Sequence, residues 1–148
     1  MSDYFVSYIP CDPYFTPTEN HTRQLASILI PDCETILEIE EAVSFADAGT
    51  NFERVTCPNC HNNILDWWPG AMNSAYTPGK GFSKLSISTP CCGYKSTLND
   101  LIYHFPQGFY RTRILTKPDI HVQINTDKVC AELKEITGVA WRAIHQHI

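Results

Sequence analysis

Two unequal cysteine doublets constrain this chain more than any other feature. One is Cys57-Pro58-Asn59-Cys60, and the other lies in Thr89-Pro90-Cys91-Cys92-Gly93. A Cys-x-x-Cys turn lets two thiolates point at one metal, and proline after the first cysteine stiffens that turn. Together the doublets supply four thiolates, the donor set of a closed tetrahedral zinc site. The second doublet is irregular. A regular knuckle would read Cys-Pro-x-Cys-Gly, so Thr89 stands where a cysteine is expected and Cys91 stands in the spacer. Two ligand sets compete. In one, Cys57, Cys60, Cys91 and Cys92 all bind. In the other, Cys92 is the sole ligand of its pair, and His61 or His104 completes the site.

Four thiolates leave no position for water, which argues for a structural zinc over a catalytic one. The chain has no His-Glu-x-x-His pattern and no deaminase-type His-x-Glu followed by Pro-Cys-x-x-Cys. The first doublet alone would suit thioredoxin-like redox chemistry if it followed a strand and opened a helix. Asn62-Asn63 follows it instead, and a second doublet comes later, so metal binding explains more of the sequence. The other cysteines, Cys11, Cys33 and Cys130, are isolated and read as structural thiols. Seven cysteines with no signal-peptide pattern at Met1-Ser2-Asp3-Tyr4 predict a cytoplasmic protein with metal ligands and core thiols in place of disulfides. No apolar run approaches the roughly eighteen residues that a membrane span needs.

The net charge of −5 is unevenly spread. Residues 1–49 carry nine acidic residues and one basic residue, whereas residues 50–148 carry seven acidic and ten basic ones. The acidic excess, with Glu38, Glu40 and Glu41 at its centre, would suit a basic protein partner. It also serves as a solvated face. Nucleic acid is a weaker expectation, because the one basic cluster in view is Arg111, Arg113 and Lys117. Trp67 and Trp68 are adjacent and cannot share one helix face, so either both pack in different directions or one packs against the lobe and the other is a candidate interface anchor.

Element patterns outline the fold. Residues 4–9 read as a strand rich in aromatic and β-branched types. Thr16-Pro17-Thr18-Glu19 reads as a capping box with proline at the first helical position, followed by a helix with Leu25, Ile28 and Leu29 on one face. Residues 35–47 read as extended, with a break near Glu41-Ala42. Phe52 to Thr56 is a short strand. Asp66 is placed to cap a helix through Ala75, Thr77 to Gly81 is a loop, and Lys84 to Ser88 is a strand. Phe109 to Leu115 is another strand. Asn125 or Thr126 caps the last helix, Gly138 closes it, and residues 139–148 form a terminal strand. Asn99-Asp100 is a turn with a helix cap or, near Tyr103 and His104, part of a cleft. Without residues 50–105 the order is strand–helix–strand twice. That order predicts an α+β fold: a ferredoxin-like split βαβ core built from 1–49 and 106–148, with 50–105 inserted as a zinc-ribbon-like lobe.

The run Asn51-Phe52-Glu53-Arg54-Val55-Thr56-Cys57-Pro58-Asn59-Cys60, with Asp66-Trp67-Trp68, Thr89-Pro90-Cys91-Cys92-Gly93 and Ser96-Thr97-Leu98-Asn99-Asp100-Leu101, resembles a family of small uncharacterised bacterial zinc-ribbon-like proteins. The resemblance spans the chain and implies that Cys91 and Cys92 are co-ligands. It implies no activity. By analogy with small bacterial proteins of this kind, an immunity partner that neutralises a toxin is one concrete role. The functional expectation is therefore a non-enzymatic zinc-containing protein that binds another protein. The alternatives are a nucleic-acid-binding zinc ribbon and an enzyme with an unrecognised cleft.

Overall fold

The computed structural model describes residues 4–28, 33–49, 52–119 and 124–147. The β-branched and aromatic opening forms strand β1 (Tyr4–Pro10). Helix α1 (Glu19–Ala26) is capped by Thr18, whose side chain accepts the His21 N–H. The cap therefore lies two residues beyond Thr16, and Pro17 precedes the helix instead of entering its first turn. Ile28 packs with Leu25 in the core, whereas Leu29 lies outside the described residues. Strand β2 (Cys33–Ala46) follows, with its register broken between Ile39 and Ser44, where the charged Glu40-Glu41 interrupts the alternation.

The middle of the chain holds short elements. They are β3 (Val55–Thr56), α2 (Trp68–Ala75), β4 (Tyr76–Thr77), β5 (Gly81–Phe82), β6 (Ser86–Ser88), β7 (Lys95–Thr97), a 3-10 turn at Leu98–Asp100 and β8 (Ile102–Tyr103). Asp66 does not cap α2. The N-cap is Trp67, which makes no side-chain capping bond, and Pro69 occupies the first turn, where its missing N–H costs nothing. The expected loop at Thr77–Gly81 is the turn of the β4–β5 hairpin. Strand β9 (Gly108–Pro118) then crosses the sheet and runs three residues beyond Leu115. Asn125 caps helix α3 (Thr126–Thr137) by accepting the Lys128 N–H, Gly138 closes it in the left-handed conformation, and β10 (Trp141–His147) ends the described chain.

Strands β10, β1, β9 and β2 form one antiparallel sheet in that order, so β1 and β2 run parallel with β9 between them. The architecture is α+β. Helices α1 and α3 cover one face: Leu25, Val129 and Leu133 meet Val6, Tyr8, Ile114 and Trp141. A second cluster belongs to the middle segment and includes Val55, Cys57, Ile64, Leu85, Leu98 and Tyr103. It does not stop at the segment's ends. Val43, Phe45 and Phe109 from the far end of the sheet belong to the same cluster. The lobe's strands are only two or three residues long, and a two-stranded sheet has little stability alone. Packing against the main sheet therefore contributes to holding it.

Candidate metal centre

Both cysteine doublets occupy the same kind of turn. After β3, the Cys57 N–H donates to the Asn62 carbonyl at 2.9 Å and the His61 N–H donates to the Cys57 carbonyl at 3.0 Å. Between β6 and β7, the Thr89 N–H donates to the Tyr94 carbonyl and the Gly93 N–H to the Thr89 carbonyl, both at 2.9 Å. The fifth residue is left-handed in each turn, His61 at φ 63° and Gly93 at φ 70°. Glycine adopts that conformation without cost, and histidine is among the residues that tolerate it. Thr89 is thus the positional equivalent of Cys57, Cys91 of Asn59, and Cys92 of Cys60.

The two turns face each other and bring four sulfurs together. The Sγ atoms of Cys57, Cys60, Cys91 and Cys92 all lie within 4.8 Å of one another. Cys57 to Cys92 is 3.8 Å, Cys91 to Cys92 is 3.9 Å and Cys60 to Cys91 is 3.1 Å. Metal–sulfur bonds of about 2.3 Å in a tetrahedron place sulfurs about 3.8 Å apart. The donor set therefore fits a tetrahedral metal ion closely on two edges, with the Cys60–Cys91 edge tighter. Adjacent Cys91 and Cys92 converge because they lie in the turn and not in the extended strand.

The positions lacking a thiol support the sulfurs. Thr89 is buried, 2% exposed; its hydroxyl accepts the Tyr94 N–H at 3.1 Å and lies 3.5 Å from Cys92 Sγ. Asn59 donates from Nδ2 to the same sulfur across the site, at 3.5 Å. Hydrogen-bond donors placed beside the sulfurs in this way stabilise thiolate charge. The Thr89 hydroxyl, then the Asn59 amide, pull the Cys92 thiol down. Burial pushes the Cys57 thiol up, but hydrogen bonds from the Cys60 and Asn59 amides and from Thr89 reverse this and bring it to about 6. For Cys60 the Asn62 amide lowers the thiol, while the neighbouring Cys91, Cys57 and Cys92 push it to about 12. Four thiols this close cannot all ionise without a cation between them. Asn59 was legible only as a spacer, and Thr89 only as a missing cysteine.

Neither histidine joins the cluster. His104 pairs with Glu53 at 3.4 Å and lies edge-on to Phe105. His61 contributes its backbone to the first turn. His145 and His147 face Tyr4: the Tyr4 hydroxyl bonds His145 Nδ1, and the ring of His147 lies 4.6 Å from that of Tyr4. Changing Cys91 to serine is accordingly expected to weaken metal affinity by at least about 100-fold, whereas His61→Asn, which tolerates the left-handed backbone, and His104→Ala leave it within about threefold. Competition with a chromophoric chelator measures all three. The reverse ranking would restore the three-cysteine site.

Comparison with family models, with curated proteins and with solved structures finds no match for this chain.

The other candidate residues are more engaged than their sequence implies. Glu38 lies directly across from Arg113 in the β2–β9 register, and Arg113 Nη2 donates to both its carboxylate oxygens at 2.9 and 3.1 Å. Glu38 is therefore a cross-strand partner and not a free acidic contact. Glu40 is half-buried and its carbonyl accepts from Arg111 Nε at 3.0 Å; Glu41 alone of the three is exposed. Those bonds also tie down both arginines of the expected basic cluster. Trp68 donates from its indole to the Tyr103 hydroxyl at 3.1 Å, and both tryptophans pack on the lobe cluster. Asn99, expected in a turn or cleft, is a buried junction in the 3-10 turn. It bonds the Cys11 carbonyl, the Phe109 N–H and Arg142.

Proposed function

We propose that this is a non-enzymatic binding protein whose lobe is organised by a structural zinc ion and which acts through contacts with another protein. One observation carries the reading: the four donors are all thiols, converged from two matching turns at separations near those of a filled tetrahedron. A metal held by four thiolates keeps no position for water or substrate, so it contributes folding energy. Soft thiolate donors in tetrahedral array select zinc or iron, and one isolated closed site suits zinc. The strand order β10-β1-β9-β2, with both covering helices on one face, supports a ferredoxin-like core into which the zinc-ribbon-like lobe is inserted. A cytoplasmic location would keep the thiols reduced. Among the described residues no helix is long and apolar enough to cross a membrane.

An immunity-type neutraliser of a toxin is the concrete version of this function. Basic partners would meet the acidic first third, whose exposed Glu34 and Glu41 lie on the edge strand β2. Nucleic-acid binding has less support, because Arg111 and Arg113 are engaged with β2. The test is affinity capture from the native host with the metal-loaded chain as bait, followed by mass spectrometry and titration of the purified pair. A single stoichiometric protein partner is expected. Recovery of nucleic acid alone, or of no partner across host growth conditions, would sink the reading.

A further inference from the structure

The lobe offers a groove between helix α2 and strand β6. Its volume is about 320 Å³, at the lower end of the range for ligand clefts. Trp67, Ala71 and Ala75, spaced four apart and so on one face of α2, form one wall. Ser86, Ile87 and Ser88 of β6 form the other.

That second wall is a strand edge. β6 pairs with β7 and, among the described residues, with no other strand. The bonds Leu98 N–H to Leu85 carbonyl and Thr89 N–H to Tyr94 carbonyl fix which residues face β7. In an antiparallel ladder, bonded pairs alternate with non-bonded ones. Residues 85, 87 and 89 therefore turn their backbone groups inward. The N–H and C=O of Ser86 and Ser88 turn outward, and both serines are exposed. This is the arrangement that accepts an added strand: backbone bonds along the edge, with pockets for alternate side chains against the helix.

Charge selects the occupant. Lys84 lines one end of the groove, and Lys95 lies opposite Ser88 on β7. Both are exposed, and neither has an ion-pair partner among the described residues. Among the described residues no carboxylate lines the groove. We propose that the α2–β6 groove docks an extended acidic segment of a partner protein, which adds to the β6–β7 hairpin as a third strand. Small apolar side chains of that segment meet Trp67 and Ala71, and its carboxylates meet Lys84 and Lys95. This deepens the protein-binding reading and rests on it.

The test uses the metal-loaded full chain and two fluorescein-labelled probes, acetyl-EVEVE-amide and acetyl-KVKVK-amide, read by fluorescence anisotropy. The acidic probe is expected to bind with Kd on the order of 10–100 μM, a range usual for short segments. The basic probe should bind at least tenfold more weakly. Ser88→Pro removes an outward N–H that no ladder bond uses, a position where an edge strand tolerates proline. It should weaken the acidic probe at least tenfold with metal content and far-ultraviolet dichroism unchanged. Lys84→Glu, on an exposed side chain, gives a second arm independent of the backbone and should weaken it at least fivefold. No binding up to about 1 mM, equal binding of the two probes, or binding indifferent to both substitutions overturns the proposal. A single-stranded oligonucleotide that binds the groove in place of either peptide overturns it too. If a host partner binds wild type and Ser88→Pro alike, the groove fails while the protein-binding reading stands. If the acidic probe binds through the groove and no host partner exists, the groove stands and that reading fails.

Discussion

Replacing Cys57 with serine is expected to release the metal and unfold the lobe, leaving the helix-covered end of the main sheet folded. Of the four cysteines that could hold a metal, Cys57 is the one wholly within the lobe's core, at 0% exposure, among Val55, Ile64, Leu85 and Leu98. Its backbone also closes the first turn through bonds to Asn62 and His61. The strands on either side of the cysteine cluster are two or three residues long, so a metal cross-link between the turns would replace the ladder that longer strands provide. A thousandfold loss of metal affinity would remove about 4 kcal/mol of stabilisation at saturating metal. That is enough to unfold a segment with so little secondary structure.

The unfolding should not spread evenly. Val43, Phe45 and Phe109 share the lobe's cluster, so the ends of β2 and β9 nearest the lobe lose their cover. Val6, Tyr8, Leu25, Ile114 and Leu133 belong to the other cluster and keep theirs. Hydrogen exchange should show lost protection from Val55 to Tyr103 and at Phe109, with protection retained at Tyr8 and Ile114. Metal content should fall from one ion per chain to nearly none. A strong chelator acting on the wild type should give the same exchange map. Retention of the metal by Cys57→Ser, or an unchanged map after chelation, would mean that packing alone holds the lobe.

What the sequence disclosed and what it withheld divide along contact range. Local patterns were legible. The turn bonds at Cys57 and Thr89 follow from the shared proline at the next position, and the break in β2 follows from the lapse in apolar alternation near Glu41-Ala42. The Asn125 cap and the Gly138 stop are single-residue signals. The four-and-three spacing of Val129, Leu133 and Ile136 marks the face of α3 that packs on the sheet, whereas the burial of Thr137 beside them has no apolar signal. The choice between Cys91 and a histidine was open because it depends on whether a turn or a strand carries Cys91-Cys92. The pairing of Glu38 with Arg113 depends on register across 75 residues, and that of Trp68 with Tyr103 on 35. The short strands β4, β5 and β8 have too few residues to show a period. An outward-facing Ser86 or Ser88 backbone has no residue-type signal at all, since it depends on which pairs of a three-residue ladder are bonded.

Asn99→Ala is expected to destabilise the whole protein by about 3–5 kcal/mol. Asn99 is 3% exposed and serves three separate segments. Its Nδ2 donates to the Cys11 carbonyl at 3.0 Å, where the chain leaves β1. Its Oδ1 accepts the Phe109 N–H at 2.9 Å, at the start of β9, and also the Arg142 guanidinium from β10. Arg142 packs so closely over Gly108 that a side chain there would collide with it. Burial pulls that guanidinium down from its usual range, and no salt bridge to a carboxylate relieves it among the described residues. Alanine would leave a buried amide N–H, a carbonyl and much of a cation without partners at once. Each neutral group costs about 1–3 kcal/mol and the charged one more, with partial relief from relaxation or water. Asn99→Asp keeps both acceptor bonds and sets a negative charge against Arg142, so it should lose less than the alanine variant despite facing the Cys11 carbonyl. Replacing Arg142 with methionine in the Asn99→Ala background removes the stranded charge and should recover at least about 1 kcal/mol. Urea unfolding at saturating metal measures wild type, these three variants and the Arg142→Met single variant, and the double-mutant cycle built from Asn99→Ala and Arg142→Met isolates the Asn99–Arg142 coupling from the loss at Phe109 and Cys11. An Asn99→Ala variant within 1 kcal/mol of wild type would show that this junction is not what joins the lobe to β1, β9 and β10.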